Sequence, residues 1–478
     1  MIEAALLLVR LILGLAGILI MGYSLAAGLV PGFTRLERAA AGFGLGALVI
    51  TLWMLALSGL ELEFSLPLVI MPPLALAGGW WLGKSWIAAP HSSGRETKES
   101  ELRKPPYSFW DWLFIGLLAV LGLFVTLRAV LYPLWAWDGI AIWGFKAKVF
   151  YLNGAIDFKG FEAHNYYPNL VPLILTYLYL WLGQVNDYLV KLIFPLWGGA
   201  LLAMLFGMLR RLGLARTPAL GVTTFFALNG ITFITHLHIV YADLAMTYFA
   251  LGATGLVYLW LTNAAPPRTL PLAALFFAGL TWSKFEGAPL AGTILLAAGI
   301  TLIWLRPPTL ARRLASLGWP VAGLLLGYLP WRVFALSHGI ETGSDPILGF
   351  YWPQLFRALP ALGLALINPT LFGILWPTTG LVLVFSGRKI FSTPILFLAL
   401  FLGGNFLAIL LAYAVAPTSP FEFHLYLRAT LDRLLLHLAP VAALLIGEGV
   451  TEVAGRERQG EPEPAIGPSF QPVLSTKK

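Results

Sequence analysis

The 478-residue sequence contains no cysteine. That absence excludes disulfide frameworks, thiolate zinc sites and cysteine nucleophiles together, and it leaves the redox compartment unread. Charge is the second scarcity. Asp, Glu, Lys and Arg make up 11% of the residues, where soluble domains carry roughly twice as much because they must face water. No motif is duplicated along the chain, which argues against the internal repeats of transporters. The opening MIEAALLLVRLILGLAGILI lacks a basic leader and a small-residue cleavage site, so a retained first helix is expected rather than a removed signal peptide.

What the sequence does hold is apolar. Hydrophobic residues make up 58% and the mean hydropathy is +0.80. Blocks such as 113–130, 362–385 and 394–415 run with almost no charge. A helix needs about 20 such residues to cross a hydrocarbon core about 30 Å thick. The chain is therefore expected to be an all-α, multi-pass protein of the cell (inner, cytoplasmic) membrane, with the lipid bilayer as its first partner. The net charge of +8 does not call for nucleic acid, because the basic residues gather at block ends, where they fix orientation.

That orientation can be traced. The polar stretch 84–108 carries Lys84, Arg95, Lys98, Arg103 and Lys104 and is assigned to the cytoplasm. Spans at about 4–28, 39–60 and 66–83 precede it, which places the N-terminus outside. A span at about 110–131 opens an external segment over 132–168. The block 169–183 then decides the parity of everything downstream. It is about 22 Å long as a helix, short of the core, and Pro168 and Pro172 break its start, so it reads as juxtamembrane or re-entrant. Spans follow at about 188–209, 218–234, 244–262, 270–281, 288–305, 314–330, 361–385, 393–416 and 434–450. The total is about thirteen transmembrane helices, with the C-terminus in the cytoplasm. The domain order is a three-helix membrane extension (1–83), a cytoplasmic linker (84–108), a central membrane module (109–330), a C-terminal membrane module with external loops (331–450) and a disordered cytoplasmic tail (451–478).

On this topology the remaining polar residues collect on the external side. They include His164, His236, His238, His338, His424 and His437, the acids Asp138, Asp157, Glu162, Asp243, Glu286, Glu341, Asp345, Glu422 and Asp432, and several basic residues. Ionisable groups at a membrane boundary face protein or a wet cavity, with ordinary solvated loops as the competing reading. Several sit inside apolar text (WAWDGIAIW, VYADLAMTY, TWSKFEGAPL), where a carboxylate needs partners.

Asp138, between Trp137 and Gly139, is the candidate general base toward a hydroxyl. Lys146 and Lys148 cannot share one helical face, so one is expected to point at a site and the other at headgroups. Trp135, Trp137, Trp143, Tyr166 and Tyr167 suit an interfacial belt, and their flat faces also suit sugar rings. His236, His238 and Asp243 could ligate one divalent cation, or be hydrogen-bonded boundary residues; no cofactor is assigned. Lys284 and Glu286 read as a self-neutralising pair or as a phosphate-binding lysine with its neighbour. Arg428 and Asp432 stand one turn apart and can pair, leaving Arg433 to offer its fork to a phosphate.

In this order the pieces resemble the GT-C superfamily of polyprenyl-phosphate-dependent glycosyltransferases, nearest to bacterial relatives of the protein O-mannosyltransferases and lipid A aminoarabinose transferases. The resemblance rests on the acidic residue after a helix (Asp138), the H-x-x-P-like stretch His164–Pro168, a second acidic residue (Asp243), the K-x-E-G-like turn Lys284–Gly287 and the Arg433-to-Pro440 helix. It covers 110–300 and, by one short motif, 420–440. The chain departs from the pattern in three ways: extra spans precede Asp138, HNYYP replaces H-P-P, and no D-x-D is present. The resemblance implies a GT-C-like fold with juxtamembrane helices in the first large external loop. It also implies a polyprenyl-phosphate-linked sugar donor and a glycan, lipid or protein acceptor. Transfer would be inverting, on the external face. Asp138 would be the base, Asp243 and Glu286 the second acidic or acceptor candidates, and Lys284, Arg433, Lys146 and Lys148 the phosphate ligands. His164, Tyr167 and His238 are further site candidates. A cell-surface glycan polymerase or ligase with a diphosphate-linked donor, and a transporter or lipid flippase, are the alternative readings.

Overall fold

Backbone polar groups inside a bilayer must be satisfied within the spanning segment, and long apolar runs meet that demand as helices. The computed structural model describes residues 2–87, 106–340, 349–416 and 420–460, and among them every regular element is helical. The positions expected at 88–105, Glu341, Asp345 and the tail at 461–478 lie outside the described residues.

In chain order the helices are α1 (Ile2–Leu29), α2 (Arg35–Gly59), α3 (Leu66–Ile87) and α4 (Phe109–Leu131). A π-helical turn, Gly139–Trp143, leads into α5 (Gly144–Asn153), followed by α6 (Leu170–Leu182). A 3₁₀ turn, Leu189–Leu192, opens α7 (Ile193–Arg211), then come α8 (Arg216–Leu228), α9 (Ile231–His236), α10 (Ala242–Leu261), α11 (Thr269–Ser283) and α12 (Gly287–Leu305). The remainder is α13 (Leu310–Ser316), α14 (Gly318–Ser337), α15 (Trp352–Ile367), α16 (Pro369–Phe372), α17 (Leu375–Ser386), α18 (Ile395–Val415) and α19 (Pro420–Gly460).

Among the described residues, 9 helical segments are long and apolar enough to cross a membrane, and four shorter apolar helices accompany them. Two of the expected spans are broken. The run 218–234 divides into α8 and α9 at Gly230, whose φ of 105° is left-handed. The run 361–385 divides into α15, α16 and α17 around Asn368 and Gly373. The two breaks meet: the Asn229 side-chain carbonyl accepts from the Ile374 amide at 3.0 Å, and a Cβ on Gly230 would lie 2.3 Å from the Leu371 carbonyl. Hydropathy counts carbon and misses such breaks, which one protein segment satisfies for another. At the far end α19 continues as helix to Gly460, past the expected limit of 450.

The first three helices are not an appendage. α1 and α2 touch backbone to backbone through Gly22, Gly42 and Gly46, where a Cβ on Gly22 would fall 1.7 Å from the Gly42 carbonyl. Small residues four apart allow this approach in lipid, where packing rather than hydrophobicity holds helices together. α2 then meets α10 and α11: the Tyr248 hydroxyl donates to Ala40 O at 2.6 Å, and Trp282 Nε1 donates to Thr51 Oγ1 at 2.9 Å. α10 is buried along its whole length.

One end of the bundle is tied by basic residues. Arg211, at the end of α7, pairs with Glu37 at the start of α2, and Arg216 pairs with Asp111 at the start of α4. At the opposite end Lys191 donates to the carbonyls of Tyr132 and Pro133, joining the close of α4 to the opening of α7. The chain between therefore leaves and returns at the same end, and α6 makes no net crossing. α6 lies antiparallel to α1, with Tyr177 Oη on Gly14 O at 3.0 Å and Arg10 Nη1 on Leu182 O at 3.1 Å.

Candidate functional site

The end of the bundle marked by Lys191 receives polar side chains from four places. Asp138 follows the close of α4, and its amide donates to the Tyr241 hydroxyl at 3.5 Å. Asp243 sits in the first turn of α10, where the helix dipole favours a carboxylate. Lys284 leaves α11 in extended backbone (φ −160°, ψ 158°), and Glu286 directly precedes α12. Arg433 and His437, one turn apart on one face of α19, complete the set.

These side chains form one connected cluster. Arg433 Nη2 lies 2.6 Å from Asp138 Oδ2 and 2.8 Å from Asp243 Oδ2. Lys284 Nζ reaches Asp243 Oδ1 at 3.1 Å and Glu286 Oε1 at 3.0 Å. His437 Nε2 lies 3.2 Å from the same Asp243 Oδ1, which makes it a donor there. Asp243 is fully buried, its side chain 0% exposed, and accepts from all three basic groups. A buried carboxylate is tolerable on those terms, since each oxygen is paired. The second oxygen of Glu286 has no partner. Burial alone would depress the Lys284 pKa; the Asp243 and Glu286 carboxylates outweigh it and raise that pKa, so the lysine is a fixed cation.

Tyr241 forms one wall. The Arg433 guanidinium carbon lies 4.7 Å from its ring centroid, and His236 meets the ring edge-on at 5.7 Å. Burial lowers the His236 pKa to about 4, so its ring is neutral, with Nδ1 on Thr232 O at 2.8 Å. The opposite wall comes from the HNYYP segment. His164 takes a left-handed φ of 50°, Tyr166 packs edge-on against Phe285 at 6.0 Å, and Trp331 Nε1 donates to Tyr166 O at 3.0 Å. Tyr167 lies near Glu286; burial first, then that carboxylate, holds its phenol well above the ordinary range.

The cluster thus brings together Asp138, Asp243, Lys284, Glu286 and Arg433, with His164 and Tyr167 at its border. It leaves other expected residues outside. Lys148 pairs with Asp187 at 2.7 Å instead of turning to headgroups. Lys146 is buried, donating to the His164 carbonyl at 2.8 Å, and burial lowers its pKa to about 7. His238 is turned to Thr235 O at 2.6 Å. Among the described residues no three His, Cys, Asp or Glu side chains converge on a point that could hold a metal ion, so the His236, His238 and Asp243 cation site is not formed. Arg433 is not left free by an Arg428–Asp432 pair; it is the bridge between Asp138 and Asp243. His437 was recognisable only as an external-side histidine. Its spacing of four from Arg433 was the available signal, and it became informative once Arg433 was placed.

An apolar groove lies between α4 and α7, a cavity of about 390 Å³ that runs from Leu237 and Pro195 at the cluster end to Tyr107 and Arg216 at the other. Its α4 wall, Ile115 to Val125, is about 15 Å long. Gly122 and Gly199 hold it open, since a Cβ on either would meet nothing within 4 Å.

Comparison with solved structures gives the fold a precedent. ArnT from Cupriavidus metallidurans, in a crystal structure bound to undecaprenyl phosphate, superposes with a TM-score of 0.52 at 16% identity, covering 73% of this chain and 61% of ArnT. The apo form superposes with a TM-score of 0.51 at 15% identity, over 72% and 61%. The chain thus spans about 61% of the length of ArnT. No protein-family profile and no curated protein matches the sequence. The fold is similar to that of ArnT, in keeping with the kind of fold that the motif order implied.

Proposed function

We propose that this chain is an integral membrane glycosyltransferase that moves a sugar from a polyprenyl-phosphate carrier to an acceptor hydroxyl on the external face. The observation that carries the reading is Arg433 held between Asp138 and Asp243, beside Lys284, in a fold that ArnT presents with undecaprenyl phosphate bound. The apolar groove starting one residue from His236 supports it, because an isoprenoid chain needs such a lining.

In this reading Asp138 takes the proton of the acceptor hydroxyl, whose oxygen bonds to the anomeric carbon as the carbon–oxygen bond to phosphate breaks. Attack from the face opposite the phosphate inverts the centre, as in one-step glycosyl displacement. The carrier leaves as a phosphate dianion, and Arg433 and Lys284 stabilise the charge as it develops. Arg433 also sets the order of events. In the structure Arg433 occupies Asp138 Oδ2; a donor phosphate that competes for the guanidinium frees that oxygen to accept the hydroxyl proton. Asp243, buried and fully paired, positions both cations.

Replacing Asp138→Asn is expected to lower turnover of a polyprenyl-phosphate-linked sugar by about 100-fold or more, with expression and membrane insertion unchanged. Near-normal turnover would remove Asp138 from the role of base.

A further inference from the structure

The cluster has a charge deficit. Three carboxylates, Asp138, Asp243 and Glu286, are in contact with two permanent cations, Lys284 and Arg433. Each cation already serves two carboxylates, and these five side chains together carry more negative than positive charge before any phosphate arrives. Adding a phosphate to a low-dielectric pocket of that sign is unfavourable unless positive charge enters with it. Besides Lys284 and Arg433, the side chain in contact with Asp243 that has a nitrogen able to take up a proton is His437.

We propose that His437 is the proton reservoir of the phosphate site, becoming imidazolium when a lipid phosphate binds beside Lys284 and Arg433. This rests on the polyprenyl-phosphate reading above and specifies how the site balances its charge. The geometry suits the role. The 3.2 Å contact to Asp243 Oδ1 needs hydrogen on Nε2, which leaves Nδ1 of the neutral ring as the atom to be protonated. The groups facing His437 are Asp243 from α10, Lys284 and Glu286 from the α11–α12 turn, His236 from α9, and Arg433 one turn away on its own helix. A phosphate drawing Lys284 and Arg433 toward itself leaves Asp243 short of positive charge, and a charged His437 restores it. His437 acts through Asp243 and is a positioning residue.

The test is isothermal titration of undecaprenyl phosphate into the full chain in detergent at about pH 7.5, in buffers of different ionisation enthalpy. The wild type is expected to take up about one proton per lipid bound. His437→Gln keeps a donor toward Asp243 but cannot gain a proton. It should bind the lipid about tenfold more weakly and lose that uptake. Equal proton uptake by the two proteins would overturn the proposal, assigning the proton to a carboxylate or to the lipid phosphate itself. Should the variant not fold, nitrogen-15 spectra of labelled histidine in the wild type decide: an imidazolium signature induced by the lipid supports the proposal, and an unchanged neutral ring refutes it. Failure of the wild type to bind undecaprenyl phosphate at all would instead remove the donor reading.

Discussion

At the scale of single residues, the most telling side chains are those whose charge is fixed by neighbours. Lys284 stays cationic although buried because two carboxylates meet it, while Lys146, equally buried, has one backbone carbonyl and two aromatic rings for company. Burial lowers the Lys146 pKa to about 7 from the 10.5 of an unfolded lysine, with Glu162 a weaker opposing influence. The sign follows by linkage. Between those two values the unfolded chain holds a proton that the folded chain does not, so stability should rise with pH across that window and stay flat below it. Thermal unfolding in detergent is expected to rise from about pH 7 to pH 9 for the wild type, by about 2–4 °C for each kcal/mol gained, but not for Lys146→Met. Matching pH profiles would show that the lysine stays charged in the fold. From the sequence alone Lys146 and Lys148 were equivalent candidates; only their surroundings separate a buried clip from a partner of Asp187.

At the scale of elements, the helices that build the site are held by close approaches of small residues. A Cβ on Gly323 of α14 would lie 1.9 Å from the Ala274 carbonyl of α11, and one on Gly327 would lie 2.1 Å from the Ala278 carbonyl. These contacts fix α11, whose end presents Lys284. Glycines at the groove do the opposite job, since Gly199 leaves space empty. Gly199→Leu should therefore fold normally, gain helix propensity and fill the groove. Its expected effect is a roughly tenfold weaker binding of undecaprenyl phosphate, with less loss for a short-chain analogue, as each buried methylene is worth about 0.8 kcal/mol. Equal losses for long and short chains would place the isoprenoid elsewhere. The broken pairs α8–α9 and α15–α17 were not legible as breaks, because a window of hydropathy averages over Asn229, Gly230 and Gly373.

At the scale of the whole molecule, the Lys191 clip sets the topology. Because α4 closes and α7 opens at one end, the side assigned to every later helix depends on the segment between them. A reporter fused after Gly183 is expected to register the external side, and one fused after Arg306 the cytoplasmic side. A cytoplasmic signal after Gly183 would reverse the proposed face of the site.

That this is a helical membrane protein with its charges gathered near helix ends was legible in the amino-acid order, since both follow from composition and from the cost of desolvating ionisable groups. The order of its motifs was enough to point to the fold that the chain shares with ArnT. How those charges pair follows from the packing of distant segments. Arg433 and Asp138 are 295 positions apart and Asp243 and Lys284 are 41 apart, so no local pattern could pair them. Their meeting depends on how three helix ends converge on the side of α19, and that convergence turns a phosphate-binding arginine expected to be free into the bridge between two carboxylates.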